Sequence, residues 1–429
     1  MREVLDRVVA PFAVDRRVLA LAGARMADGI GNSFLIIVIP LYVTSGVVSG
    51  TAFGLGESMI IGLILSLFGF LNSSVQPFTG RLSDRVGKRK PFILIGLAGL
   101  ATTNIAYVFA ETYVSLLVIR GLQGVSVAFI IPASIALVNE LATTGDRGGN
   151  MGVYNTFRLI GFGAGPVVAG AVVSRGPYPL PSGVTLNGFD AAFWIATITA
   201  TISYGMVTVL VSDPESTVAN AGADLSIPIR DRAGPNALDP VFTLGLASLF
   251  MATAIALFAT IQPQVNARLE QGATWFGLQF AAFIIAQVAL QTPIGRACDR
   301  YGRRPFIVTG MALLIPTTLV QGFVLSSELM FLARLSQGIA AAMVFAPSLA
   351  LAGDLAGAGE SGSKLSVLTM AFGYGIALGP LSSGVLVSYG FRVPFVFGTC
   401  LAVLGTILVY TQIEETLETT SPVPVVGDD

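Results

Sequence analysis

The sequence predicts an all-α integral membrane protein of about twelve transmembrane helices, built as two related six-helix halves. Three observations carry that prediction. The composition is too poor in charge to cover a water-facing surface, apolar stretches long enough to cross a bilayer recur along the chain, and sparse polar features repeat at an offset of 214 to 215 residues. Of 429 residues, 53% are hydrophobic and 11% charged, against about 25% charged in a soluble domain. Lipid must therefore replace water over much of the surface. The 49 glycines suit the close helix crossings found inside membranes.

A helix crosses the hydrocarbon core with roughly 20 apolar residues. Twelve such stretches run over 19–44, 54–78, 91–109, 113–141, 151–173, 190–211, 240–264, 274–293, 305–325, 329–353, 364–388 and 393–412. Residues 1–18 mix charges with apolar side chains, without the short apolar core and cleavage site of a signal peptide. They read as a cytoplasmic amphipathic segment. The first half then covers 19–212, a cytoplasmic linker with Pro214, Pro228 and Pro235 covers 213–239, the second half covers 240–413, and an acidic tail covers 414–429.

Orientation follows from the basic residues, which accumulate on the cytoplasmic side. With the N-terminus inside, seventeen of the 24 Lys and Arg fall in inner segments and three in outer loops. Both termini are thus expected in the cytoplasm of a multi-pass cell-membrane protein. Trp194 and Trp275 then reach the outer interface, where indole rings prefer to sit.

Composition also excludes functions. A net charge of −1 offers no basic excess for nucleic acid. Cys298 and Cys400 lie far apart, so neither a disulfide nor a metal cluster is expected. No nucleotide-binding Gly-Lys loop or catalytic triad occurs, which argues against a pump driven by ATP and against an enzyme, and no cofactor is expected. With no histidine, proton chemistry falls to carboxylates tuned by arginines.

The halves are repeats. Gly80-Arg81-Leu82-Ser83-Asp84-Arg85-Val86-Gly87-Lys88-Arg89 recurs as Gly295-Arg296-Ala297-Cys298-Asp299-Arg300-Tyr301-Gly302-Arg303-Arg304. After a slip of one residue, Arg120-Gly121-Leu122-Gln123-Gly124 matches Arg334-Leu335-Ser336-Gln337-Gly338. Glu140 likewise matches Asp354, and Gly165-Pro166 matches Gly379-Pro380. Two parallel repeats imply a pseudo-two-fold axis along the membrane normal, with a site between the halves.

These residues resemble the major facilitator superfamily over nearly the whole chain, from about 19 to 412. The loop starting at Gly80 resembles the family's G-x-L-a-D-r-x-G-r-k motif, with a degenerate copy at 295–304. Arg120 to Gly124 resembles its R-x-x-Q-G element. Gly161, Gly165, Pro166 and Gly170 in span 5 resemble the G-x-x-x-G-P-x-x-G-G antiporter motif, with Ala169 in place of one glycine. The resemblance implies a secondary transporter and, through the span 5 motif, proton-coupled export of small hydrophobic or amphipathic molecules by a monomer. An uptake symporter or facilitator for a sugar or organic acid is the alternative within transport. A non-transporting sensor on the same fold is the alternative outside it, although paired gate loops are not needed there.

The cytoplasmic gate is expected at Gly80, Asp84, Arg85, Gly87, Arg89 and Glu140, and in the second half at Gly295, Asp299, Arg300, Gly302, Arg304 and Asp354. Both glycines of each loop allow a tight turn. Arg85 can pair with Glu140, and Arg300 with Asp354. The resemblance implies that Asp84 meets the start of span 11 near Lys364, and Asp299 that of span 5 near Asn150. Plain positive-inside anchoring is the simpler reading of the same residues. In span 5 the small residues would seal and pivot against the other half.

Charges inside spans cost roughly 2.5–3.5 kcal/mol on insertion scales and should face the bundle interior. Asp28, nine residues into span 1 and so roughly 13 Å deep, is the carboxylate nearest the midplane. Arg25 sits one turn away, and Arg158 and Arg120 fall within axial reach. Two roles stay open for this group: a proton carrier whose arginine partner comes and goes, or a static pair with Arg25 or Arg158 that holds span 1 in place. By the resemblance, spans 1, 4, 7 and 10 line the substrate cavity. They offer Asn32, Phe34, Gln123, Phe129, Phe258, Gln262, Gln337, Met343 and Phe345, with Gln287 from span 8. Aromatic, thioether and amide groups suit a moderately apolar organic molecule.

Overall fold

The computed structural model describes residues 15–50, 54–141, 147–179, 183, 185–214, 229–230, 237–355 and 361–415, and for 147–149, 299 and 361–366 the backbone alone. Among these residues, twelve helices are long and apolar enough to cross a membrane. The first six are α1 (Arg16–Thr44), α2 (Glu57–Val86), α3 (Lys90–Ala106), α4 (Tyr113–Glu140), α5 (Arg147–Arg175) and α6 (Gly188–Leu210). The second six are α7 (Pro240–Thr260), α8 (Ala273–Tyr301), α9 (Arg304–Leu319), α10 (Ser327–Asp354), α11 (Ser361–Leu386) and α12 (Val393–Gln412). A hairpin of two short strands, β1 (Tyr178–Pro179) and β2 (Thr185–Leu186), joins α5 to α6.

Local chemistry sets several starts. Thr112 accepts from the Ser115 amide at 3.2 Å in a capping box before α4. Asn187, Asp239 and Ser326 cap α6, α7 and α10 in the same way. Each such cap is worth about 1 kcal/mol. Two ends differ from the apolar pattern. Spans expected to stop at 78 and 293 continue as helix to Val86 and Tyr301. A helix keeps its own backbone bonds after leaving hydrocarbon, so hydropathy ends before the helix does. Gly80 and Gly295 therefore lie inside helices, and the turns fall at Gly87 and Gly302 alone, with φ of +67° and +96°, where a Cβ would be strained. Span 7 breaks at Ile261, and a short piece with Pro263 in its first turn (Gln262–Arg268) carries it on.

The two halves pack alike. In the first, α1 crosses α5 and α6, while α4 crosses α2 and α3; in the second, α7 crosses α11 and α12, while α10 crosses α8 and α9. Small residues bring these crossings close. A Cβ on Gly161 would strike the Met26 carbonyl, and one on Gly375 would come within 2.5 Å of the Leu249 carbonyl.

The halves meet along α2·α11 and α5·α8, and these seams correspond under the pseudo-two-fold. Gly62 presses on the Pro380 carbonyl as Gly277 presses on that of Pro166. Gly384 faces the Ser58 carbonyl as Gly170 faces that of Ala273. The seams run inward to Gly163 against Ile284 and to Ser74 hydrogen-bonded with Tyr374 at 3.0 Å. At the end opposite the basic loops, Gln264 Nε2 donates to Ser58 Oγ at 2.7 Å and Ser174 meets Thr274 at 3.3 Å. That end is closed. Trp194 and Trp275 lie near it, both partly exposed.

Candidate functional site

The α1·α5 crossing builds the charged cluster. Gly29 and Gly161 let the backbones nearly touch: a Cβ on Gly29 would lie 3.2 Å from the Arg158 carbonyl. Asp28 is thereby enclosed, its side chain 1% exposed. Its Oδ2 is held by Arg25 Nη1 of the same helix, while Oδ1 has no hydrogen-bond partner. Arg158 stands beside Arg25 and Tyr154, and its Nε makes a long hydrogen bond to Asn155 Oδ1 at 3.4 Å. Asp28 thus forms the pair with Arg25, not with Arg158.

Arg120 does not join this cluster, contrary to its axial reach. It is buried on the α2·α3 face of α4, where Nη1 donates to Gln123 Oε1 at 2.9 Å and the guanidinium lies 4.3 Å from the centre of the Phe68 ring. Axial depth fixes how far down a residue sits but not which way it faces. Gln123 in turn binds Asn104 and Tyr107. The repeat rebuilds the arrangement: Arg334 Nη1 donates to Gln337 at 2.5 Å, Gln337 binds Thr318, and the guanidinium stacks on Phe283 at 4.9 Å and Phe258 at 4.4 Å. Aromatic faces and an amide take the place of a counter-ion for both arginines, as cation–π contact allows.

In the basic loops the acids of α4 and α10 pair with Arg89, an expected gate residue, and Arg303, not with Arg85 and Arg300. Arg89, 6% exposed, contacts Asp84 at 2.6 Å, Glu140 at 2.8 Å and Ser83 Oγ at 2.7 Å. Burial works against its charge, but the Glu140 and Asp84 carboxylates outweigh burial and raise its pKa. Arg85 is exposed in the last turn of α2, and Arg300 is exposed in the last turn of α8. Arg303 rather than Arg300 pairs with Asp354. The turn at each glycine reverses the chain, so the arginine after it folds back under the helix while the one before it points outward. Asp213 and Glu415 also accept from backbone amides at the starts of α3 and α9. Each node ties helices of a single half together. The side chains of Asp299 and of the residues near Lys364 lie outside what the structure describes; Asn150 is buried.

The span 5 motif has two faces. Gly161 and Gly165 press on α1, whereas the Pro166 carbonyl and Gly170 meet α8 of the other half. Gly165 therefore seals within its own half rather than across the interface. Of the cavity candidates, several are committed elsewhere. Gln123 and Gln337 serve the arginine networks, Phe129 stacks on Phe92, Met343 packs on Gly310, and Phe34 and Phe258 are buried in the core. Asn32, Gln287 and Phe345 are partly exposed, and Gln262 is buried with both amide atoms unpartnered. Residue type alone misses Phe372, which packs on Phe345 at 5.0 Å, and Tyr374, which packs on Phe70 at 5.9 Å. The repeat would have pointed to Phe372, since it matches Arg158 at offset 214.

Among the described residues no group of His, Cys, Asp and Glu could hold a metal ion. The model of the Major Facilitator Superfamily matches residues 21–263 and 242–425. The chain is 24% identical over 178 residues to multidrug resistance protein 2 of Bacillus subtilis, covering 41% of this chain and 44% of that one. It is 29% identical over 174 residues to multidrug resistance protein 1 of the same organism, covering 40% and 45%. The chain thus spans less than half the length of these curated relatives. A crystal structure of a bacterial homologue of the human lysosomal transporter Spinster, inward-facing and occupied, superposes with a TM-score of 0.74 at 13% identity, over 92% of this chain and 95% of that one.

Proposed function

This chain belongs to the Major Facilitator Superfamily, and from that premise we propose that it is a secondary transporter exporting small hydrophobic or amphipathic molecules by alternating access, driven by the proton gradient. The basic end faces the cytoplasm, as its excess of Lys and Arg favours. Arg89 and Arg303 make each half a rigid body, and the halves rock about the corresponding seams of α2·α11 and α5·α8.

The observation that supports coupling is Asp28. It is an enclosed carboxylate with one oxygen on Arg25 and the other unpartnered. A proton on the free oxygen would weaken the hold of Arg25, and loss of the proton would restore it. A change of one pK unit in that contact corresponds to about 1.4 kcal/mol, well within what a helix shift supplies. Export rather than uptake is supported by the span 5 motif and by the similarity to the two multidrug resistance proteins.

Accumulation of fluorescent amphipathic compounds of either charge, in cells with and without the protein, tests this. The expected result is lower accumulation with the protein, abolished by an uncoupler. Higher accumulation would indicate uptake, and indifference to the uncoupler would remove proton drive.

A further inference from the structure

We infer that the cleft between the halves binds an amphipathic organic anion, its acidic group on Arg158 and its apolar body against Phe345 and Phe372. This rests on the transport reading above and names the substrate class of that same site.

The first ground is charge. The cluster holds two arginines, Arg25 and Arg158, and one carboxylate, Asp28, which Arg25 takes. Arg158 has no ion pair among the described residues, and its long bond to Asn155 uses only Nε. Both terminal nitrogens of its fork remain for a ligand. The other two buried arginines of the repeats differ: Arg120 and Arg334, 3% and 1% exposed, are sealed in aromatic and amide surroundings. Arg158 is partly exposed, so a solute can reach it. A guanidinium presents paired donors that match a carboxylate bidentately, and such charge-assisted bonds are the strong ones.

The second ground is position. Asn155, Arg158 and Phe162 lie on one face of α5 by helical spacing, and Phe162 meets Phe280 of the other half at 6.1 Å. Arg158 therefore lies on the face of α5 that turns to the opposite half.

The third ground is asymmetry. At offset 214, Arg158 corresponds to Phe372 and Tyr154 to Leu368. Matching the crossings of Gly161 on Met26 and Gly375 on Leu249 pairs Arg25 with Ser248 and Asp28 with Met251. Three of the four polar groups in one half are replaced by apolar ones in the other, and the fourth, Arg25, by the uncharged Ser248. Arg158 and Phe372 each lie eleven residues from the first residue of their helices, Arg147 and Ser361, so they stand at equal depth. By the pseudo-two-fold relation α5 contributes a cationic wall and α11 an aromatic one, where Phe372 packs on Phe345 at 5.0 Å. A molecule with an acidic head and an aromatic or alkyl body fits both walls.

Pyrenebutyrate, its methyl ester and pyrenebutylamine share one body and differ in head charge. Saturable binding of each to the purified protein in nanodiscs, with empty nanodiscs subtracted, tests the inference. The acid should bind at least about tenfold more tightly than the ester or the amine, Arg158→Gln should abolish that preference, and Arg158→Lys should keep part of it. Phe372→Ala should weaken all three together. No saturable binding of the acid, equal binding of acid and ester, or a preference that survives Arg158→Gln would overturn the inference. If Arg158→Gln does not fold, the acid against the ester on the wild type and on Arg158→Lys decides. These measurements need no gradient, so a failure of proton coupling, read from Asp28→Asn in transport, leaves their outcome unchanged.

Discussion

Replacing Gly165 with alanine adds one methyl group at a tight part of the α1·α5 crossing. A Cβ there would lie 2.6 Å from the Ile30 carbonyl oxygen and 3.1 Å from the Phe34 nitrogen, and would collide with Ser33 Oγ. The serine could rotate; the carbonyl is backbone and cannot. Restoring ordinary contact requires α5 to move from α1 by about half an ångström, an overpacking that costs about 1–3 kcal/mol. The sequence alone suggests that alanine at Gly165 is much milder than leucine, since a methyl group can often be accommodated; the crossing leaves too little room even for that methyl group. We expect Gly165→Ala to lower the unfolding temperature in detergent by several degrees and to reduce transport, with Gly165→Leu worse. Ser33→Ala should not rescue it. Gly152→Ala is the control on the same helix, since a Cβ there meets nothing within 4 Å, and it should stabilise by up to about 1 kcal/mol. Wild-type unfolding of Gly165→Ala, or its rescue by Ser33→Ala, would refute the reasoning.

Arg89→Ala should destabilise by on the order of 2 kcal/mol, below the roughly 3–5 kcal/mol of a fully buried pair because Asp84 and Glu140 keep solvent contact. Arg85→Ala should change stability by less than about 0.5 kcal/mol; chemical denaturation of both variants checks the assignment. Arg120→Ala should lower thermal stability yet leave the pH dependence of transport as in the wild type, because Arg120 contacts Gln123 and Phe68 rather than Asp28. A shifted pH profile in that variant would place Arg120 back in the coupling group.

Most of the architecture was legible because lipid imposes a plain rule: each crossing is a long apolar helix, and the repeat of sparse polar residues fixes how the halves correspond. The offset matches Glu140 with Asp354, and each acid is paired, though with Arg89 and Arg303 rather than with the expected Arg85 and Arg300. The wrong arginines were assigned because sequence distance does not reveal that the chain reverses only at Gly87 and Gly302. The facing of buried residues was illegible for a related reason. An all-apolar helix carries little moment to orient it, so Gln123, Phe129 and Met343 could be placed at a depth but not on a side. Arg120 was misplaced in the same way. Sequence leaves Asp28 with either Arg25 or Arg158; the structure gives Arg25, whose spacing of three on the same helix suits a pair.

The central claim is that Asp28 carries the proton, and proteoliposomes with an imposed pH gradient test it most directly. Uphill substrate movement should be measured for the wild type, Asp28→Asn and the double variant Arg25→Gln/Asp28→Asn, which removes both members of the pair. Folding is checked by size exclusion and thermal unfolding. The account predicts that folded Asp28→Asn protein binds substrate and exchanges it downhill but no longer drives it uphill, and that the double variant is likewise uncoupled. Folded Asp28→Asn protein that still accumulates substrate against its gradient would contradict the account and leave the pair of Asp28 and Arg25 as a brace for α1.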